Sequence, residues 1–250
     1  MTTVRHALWQ RRGHLLLSPA LSRLGILAGA STRALGSMGG NATPPEAAAR
    51  ARSQLAARLG FEAVVRARQV HGDRVVRAGG PFEPWPEADA LWTDRPGVLL
   101  GVVMADCVPV LIADRDGRLG AAHAGWEGTT RRVALRLAEA LRAAGADLSQ
   151  AVAAIGPSIG PCCYTVGPER VAAIRERLGA AAAAWLREGA RGTVFDLWSA
   201  NAEQLRGAGV GTVEVSGSCT RCGGDDLWSW RGRDDGRGVG LGLGFIGRAA

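Results

Sequence analysis

The stretch GVLLGVVMADCVPVLIAD, residues 97–114, decides how this chain folds. It is apolar and too rich in valine for a good solvent-facing helix, so it reads as a buried strand or strand pair. Working outward, GRLGAAHAG (117–125) reads as the next strand, followed by a helix from about Thr129 to Ala144. Val133, Leu137 and Leu141 fall on one face of that helix. Upstream, EAVVRARQVHG (62–72) reads as a strand leading to His71. Before it, ATPPEAAARARSQLAARLG (42–60) is punctuated as a helix, with Thr43 and Glu46 at capping-box spacing, Pro44 at the first position and Gly60 as the stop.

Downstream, AVAAIGPSIGPCCYTVG (151–167) reads as a short strand opening into a Gly/Pro loop. Helices over about 168–188 and 196–207 come next, then strands near 212–216 and in the C-terminal region. GVGLGLG (238–244) has dinucleotide-like glycine spacing but no following helix or suitably placed acid, so its glycines read as a strand packed closely against a neighbour. No repeat and no linker divides the chain. The expectation is one α/β (α+β) domain over residues 1–250, with the pattern weakest over residues 1–30.

Hydrophobic residues make up 47% of the 250, and charged residues 21%, which excludes a disordered chain. No uncharged apolar run reaches the length of a membrane span, and Pro19 and Arg23 interrupt the apolar run behind the N-terminal basic residues. A cytoplasmic location is therefore expected. The net charge is +7, and all 30 basic residues are arginine. Without lysine, P-loop phosphate binding and Schiff-base chemistry are closed. The arginines are spread along segments such as RRVALRLAEALRAAG (131–145) rather than gathered with aromatics, which argues against a nucleic-acid partner.

Five cysteines, an odd number without a secretory signal, argue against a disulfide framework. CTRC (219–222) has the CxxC spacing but stands alone in sequence, which favours incidental thiols over a redox pair. The vicinal cysteines of PCCY (161–164) suggest a tight turn near a site, with Cys163 a candidate substrate contact.

Only four histidines exist, at 6, 14, 71 and 123; the last two each precede or nearly precede a glycine at the end of a strand-like segment. Cys107 lies in the apolar run between them. Two imidazoles and a thiolate suit zinc and leave a fourth position open, as catalytic zinc sites do. Spacing alone leaves a second reading: two polar strand-end residues and an ordinary buried cysteine.

RQVHGDRV, DALWTDRPGVLLGVVMADCVPVLIAD, GAAHAGWEGT, AAIGPSIGPCCYTVG and SCTRC…WSWRGRDDGRG occur in this order, and together they resemble the YfiH-like or laccase-domain family. The resemblance implies an α/β fold with sheets sandwiched between helices, and purine nucleoside phosphorylase and adenosine deaminase activities with a purine nucleoside and phosphate as ligands. It implies metal ligation by His71, Cys107 and His123, with zinc favoured over copper. A single Cys/His₂ set has too few ligands for the several coppers of a four-electron oxidase. Arg33, in STR where the family has TTR, is the first candidate for phosphate, supported by N–H groups at the helix start after GWEG. Asp106 is the carboxylate nearest in sequence to the metal set and reads either as the proton shuttle of a deaminase or as a residue that orients a ligand. Gln69 shares a strand face with His71 and is a candidate substrate contact.

The chain departs from the family at Glu127 for arginine, Thr165 for glutamate, Gly232 for arginine and a shortened loop ALGSMGGNATPPE (34–46). A phosphate facing Glu127 would be repelled, so this departure bears on phosphorolysis. A peptidoglycan-precursor amidase, a copper-dependent phenol oxidase and a non-catalytic zinc-containing binding protein are the alternative functions.

Overall fold

The computed structural model describes residues 3–6, 8–224, 226–235 and 238–250. The run at 97–114 forms two strands, Leu99–Met104 and Val108–Ala113, every residue of which is buried. They do not pair with each other. Val108–Ala113 sits in the middle of a seven-stranded mixed sheet, between Val152–Ile155 and Leu119–Ala124 and antiparallel to both. That sheet continues through Thr212–Val215 to Thr3–His6 on one side, and through Ala90–Thr93 to Val75–Arg77 on the other. Leu99–Met104 belongs to a six-stranded sheet, antiparallel to Gly242–Gly247 and parallel to Val64–Val65. Leu27–Ser31, Leu15–Leu17 and Gln10–Arg12 complete it, and a hairpin of Leu186–Gly189 and Gly192–Phe195 stands apart.

Side chains alternate along both central strands, and both faces of each sheet are covered. Leu111 and Ala113 pack with Leu100, Val102 and Met104 in the core between the sheets. Val108, Val110 and Ile112 pack instead with Val133, Leu137 and Leu141 of helix Val133–Ala143 and Leu205 of helix Leu197–Gly207. Leu99 and Val103 meet Leu55, Ala56 and Phe61 at helix Pro45–Arg58. The layers are thus helix, sheet, sheet, helix in a mixed α/β domain, and burial on both faces is why the run carries no polar alternation. The GVGLGLG segment leads into the strand Gly242–Gly247 and supplies its first three residues, and a Cβ at Gly244 would lie 2.5 Å from the Cβ of Pro109. Glycine there lets the two sheets approach.

Local expectations needed correction. The capping box at Thr43 and Glu46 does not form: Pro44 is the cap, Pro45 takes the first turn, and the Thr43 hydroxyl donates to Ser37 Oγ at 2.8 Å. The strand expected up to His71 is only Val64–Val65, because the Gln69 amide, not its backbone, bonds the neighbouring strand. The helix after GWEG breaks at Arg132, whose φ is 63°, into Trp126–Thr130 and Val133–Ala143. The helix expected to 188 ends at Leu178, and a second short helix, Ala182–Trp185, runs into the hairpin.

Leu111 is fully buried while Leu8 is 79% exposed. Leu111→Ala should destabilise the protein by about 2–5 kcal/mol in denaturant unfolding. Leu8→Ala should stay within about 0.5 kcal/mol.

Candidate metal site and cavity

Residues 105–107 carry the chain from one sheet to the other. Asp106 makes the corner with a φ of 84°, a left-handed conformation that aspartate tolerates better than most residues. Its carboxylate is buried and saturated with donors: Thr220 Oγ1 at 2.6 Å, Ser229 Oγ at 2.7 Å and the Arg231 N–H at 2.6 Å. Its carbonyl accepts the Ile159 N–H at 2.9 Å. The corner therefore ties together three separate segments of chain, and Cys107 follows directly.

His123 lies on the strand Leu119–Ala124, where its Cα partner across the sheet is Pro109, two residues beyond Cys107. His71 sits on a bend with a φ of 60°. What holds that bend is Asp89, a fully buried carboxylate that accepts N–H bonds from Val70, His71 and Gly72 at 3.1, 3.0 and 2.7 Å. The same carboxylate lies 2.9 Å from His123 Nδ1. Burial alone would raise the Asp89 pKa, but the His123 ring and the backbone donors hold it below the usual carboxylate range. An ionised Asp89 requires Nδ1 of His123 to carry the proton, which leaves Nε2 as an acceptor for a metal.

The donor atoms of His71, Cys107 and His123 all lie within 4.8 Å of one another. The imidazole rings meet edge-on at 4.9 Å. Burial pushes the Cys107 thiol up, yet the two histidines outweigh it and bring it down to about 6. Burial lowers His123, but Cys107 and Asp89 raise it to about 9, and the bond to Cys107 raises His71. Without a metal the site is a thiolate–imidazolium pair. Two imidazoles and a low-pKa thiolate at this spacing form a group able to hold a metal ion. Gly125 makes room for it, since a Cβ there would lie 2.8 Å from Cys107 Sγ and 3.4 Å from His71 Cδ2.

The trio opens on a cavity of about 950 Å³. Gln69, Asp106, Tyr164, Arg170, Trp230 and Arg231 contribute to its wall, with residues 39–43 along one side. Burial pushes the Tyr164 hydroxyl up to about 12, so it stays a neutral O–H at physiological pH. The Arg231 guanidinium lies over the Tyr164 ring at 5.4 Å and donates to Thr165 O at 3.2 Å. Arg170 lies over Trp126 at 5.1 Å. A separate concavity of about 280 Å³, around Arg95 and Pro96, is lined by no histidine or cysteine among the described residues.

The three residues expected to contact substrate lie in different settings. Gln69 does border the cavity, but its amide donates to Val103 O at 2.9 Å and accepts from Val103 N at 2.7 Å. Arg33 is not among the described residues lining the cavity; its guanidinium lies 4.7 Å over Trp228. Cys163 is buried beside Cys162, Cys219 and Cys222 rather than in the cavity wall. Glu127 also lies away from the lining and is 3.7 Å from Arg131, one helical turn on. The last two residues before Gly238 in the WSWRGRDDGRG motif, 236 and 237, lie outside the described residues.

Asp89, Tyr164, Arg170, Trp230 and Arg231 were not singled out from sequence. Asp89 had a signal, an acid directly before the apolar segment ALW. Arg170 had none, being one of 30 arginines on an ordinary-looking helix.

The fold therefore sets a His₂Cys group able to hold a metal ion at the corner of a cavity, with its sheets between helices. The chain belongs to the family described as multi-copper polyphenol oxidoreductase laccase, whose model matches residues 29–249. A purine nucleoside phosphorylase of Deinococcus radiodurans is 44% identical over 77% of this chain and 74% of that protein. Adenosine deaminase RL5, from an unknown prokaryotic organism, is 36% identical over 69% of this chain and 71% of its own. The crystal structure of YlmD from Geobacillus stearothermophilus matches with a TM-score of 0.84 and 32% identity, covering 97% of this chain and 99% of that one. No helix among the described residues is long and apolar enough to cross a membrane.

Asp89→Asn should weaken metal binding about 10–100-fold in competition with a chelator, because the amide neither fixes the His123 tautomer nor strengthens it as a ligand. In metal-free protein, alkylation of Cys107 followed by peptide mass spectrometry should be half-maximal near pH 6 rather than near 9. The direction follows from the lowered thiol pKa, which keeps the thiolate as pH falls. The pair's stabilisation is lost on the acid side as Cys107 protonates, through about 6, and on the alkaline side as His123 loses its proton, through about 9.

Proposed function

We propose that the cavity is the active site of a zinc-dependent purine nucleoside enzyme, carrying out phosphorolysis of adenosine- or inosine-type nucleosides, adenosine deamination, or both. The observation that carries this reading is the His71, Cys107 and His123 group opening on a cavity whose wall also holds arginines and aromatic rings. His71 Nε2 or Nδ1, Cys107 Sγ and His123 Nε2 would hold the ion. When bound, zinc supplies Lewis acidity at its open coordination position.

The names of relatives supply the substrate class, and the chemistry of the wall is compatible with it. Tyr164 and the half-exposed Trp230 offer flat faces for a purine. Arg170 and Arg231 are the arginines among the described residues of the cavity wall, and with no lysine in the chain they are the residues to bind phosphate and shield its charge as the glycosidic bond breaks. Since Glu127 is not part of the described wall, its negative charge is no direct obstacle to an anion there. Asp89 keeps the proton on His123 Nδ1. Asp106, with both carboxylate oxygens already bonded, acts in this reading as a positioning residue for the Arg231 segment rather than as the proton shuttle.

Copper-based phenol oxidation is less well supported. The whole chain has four histidines, two of them in this group, too few for a multi-copper cluster. An electron-transfer copper is enclosed by its ligands, whereas this group faces a large cavity.

Pure, metal-defined protein incubated with adenosine and inosine, with and without phosphate, should release purine base only when phosphate is present and convert adenosine to inosine without it. Chromatography of the products decides. Neither base nor inosine under any metal condition would falsify the proposal. Arg170→Ala and Arg231→Ala should each raise the KM for phosphate by about 10-fold or more, in line with loss of a charge-assisted bond.

A further inference from the structure

The CxxC pair that stands alone in sequence is not alone in the fold. The four sulfur atoms of Cys162, Cys163, Cys219 and Cys222 all lie within 4.8 Å of one another, and Cys162 Sγ and Cys222 Sγ are 3.3 Å apart. A zinc ion with four thiolates at Zn–S distances of about 2.3 Å separates its sulfurs by about 3.8 Å, within the spread observed here. The two pairs come from different loops that are laced together by backbone bonds: Ser158 N–H to Ser218 O at 3.2 Å and Thr220 N–H to Ser158 O at 3.0 Å.

The turn around Cys219 is shaped for a charged sulfur. The Gly160 N–H donates to Cys219 Sγ at 3.3 Å. A neutral thiol is a weak acceptor, and a backbone donor aimed at it favours the thiolate form that a metal ligand takes. Gly223 closes the turn through its N–H to Cys219 O at 2.8 Å, and a Cβ at that position would lie 2.4 Å from the same carbonyl oxygen. Cys163 and Cys219 are buried, while Cys162 and Cys222 reach the surface and give an ion a way in.

We propose that Cys162, Cys163, Cys219 and Cys222 form a second zinc site, distinct from the His71, Cys107 and His123 group. Four thiolates close the coordination shell, so this ion is structural. A redox-inert cation also removes the mutual repulsion that four adjacent thiolates would otherwise carry. The site braces the cavity from behind. One of its loops runs directly into Tyr164, and the other leads on to Ser229, Trp230 and Arg231, the segment that Asp106 holds.

The test is metal analysis of full-length protein purified anaerobically with reductant. The wild type should carry two zinc ions per chain, and the double variant Cys107→Ala/His123→Ala should keep one. Cys162→Ser/Cys222→Ser should also drop to one. Because that variant could fail to fold, cobalt titration of Cys107→Ala/His123→Ala provides a second reading. Tetrahedral d–d bands with a strong sulfur-to-cobalt charge-transfer band support the site, and their absence overturns it. Iron in place of zinc, zinc content unchanged in folded Cys162→Ser/Cys222→Ser, or a Cys162–Cys222 disulfide in the anaerobic protein would each overturn it as well.

Discussion

The Asp89 carboxylate carries two duties that cannot be separated. Its oxygens collect the N–H groups of residues 70–72, which puts His71 into a left-handed backbone conformation no strand would supply. They also take the Nδ1 proton of His123, on a strand that pairs with the one Asp89 precedes. A buried carboxylate is costly unless fully bonded, and here each bond that offsets the cost also aligns a metal ligand. Two histidines 52 positions apart are brought to ring contact by one acid neither of them neighbours in sequence.

The second constraint is the corner at residues 105–107. Because the strands on either side belong to different sheets, Cys107 emerges where the sheets part and not inside a continuous ladder. Tight apposition of the sheets, with Gly244 against Pro109, sets where that parting falls. Asp106 then exports the geometry of the corner to the 220–231 segment, and through it to the aromatic and cationic wall of the cavity. Fold and cavity are coupled through a three-residue turn.

Many of the arginines pack their guanidinium planes on aromatic rings. Arginines lie over Trp85, Trp92, Trp126, Trp228 and Trp230 at 4.5–5.4 Å, covering indole faces while leaving charge at the surface. This use distributes the positive charge over many small patches. Arg33, the first anion candidate by motif, sits against Trp228, while Arg170 and Arg231, stacked as well, border the cavity.

Much of this protein is determined by local chemistry and can be read from its sequence. The doubly buried run at 97–114 shows itself by unbroken apolarity, the helices by their stripes and glycine stops, and His71, Cys107 and His123 by their motif contexts. Other features exist only once the chain is folded. Whether the run makes one paired ladder or crosses between sheets depends on packing against strands more than a hundred residues away, such as Gly242–Gly247. That Gln69 spends its amide on Val103, or that Glu127 turns to Arg131, is settled by neighbours which no spacing rule names. The four cysteines make the point most sharply: as sequence they are two unrelated pairs about 60 residues apart, and loop-to-loop hydrogen bonding alone makes them one cluster. Local periodicity reports which faces are buried, but a site is a set of distances, and distances between remote residues are decided by tertiary packing.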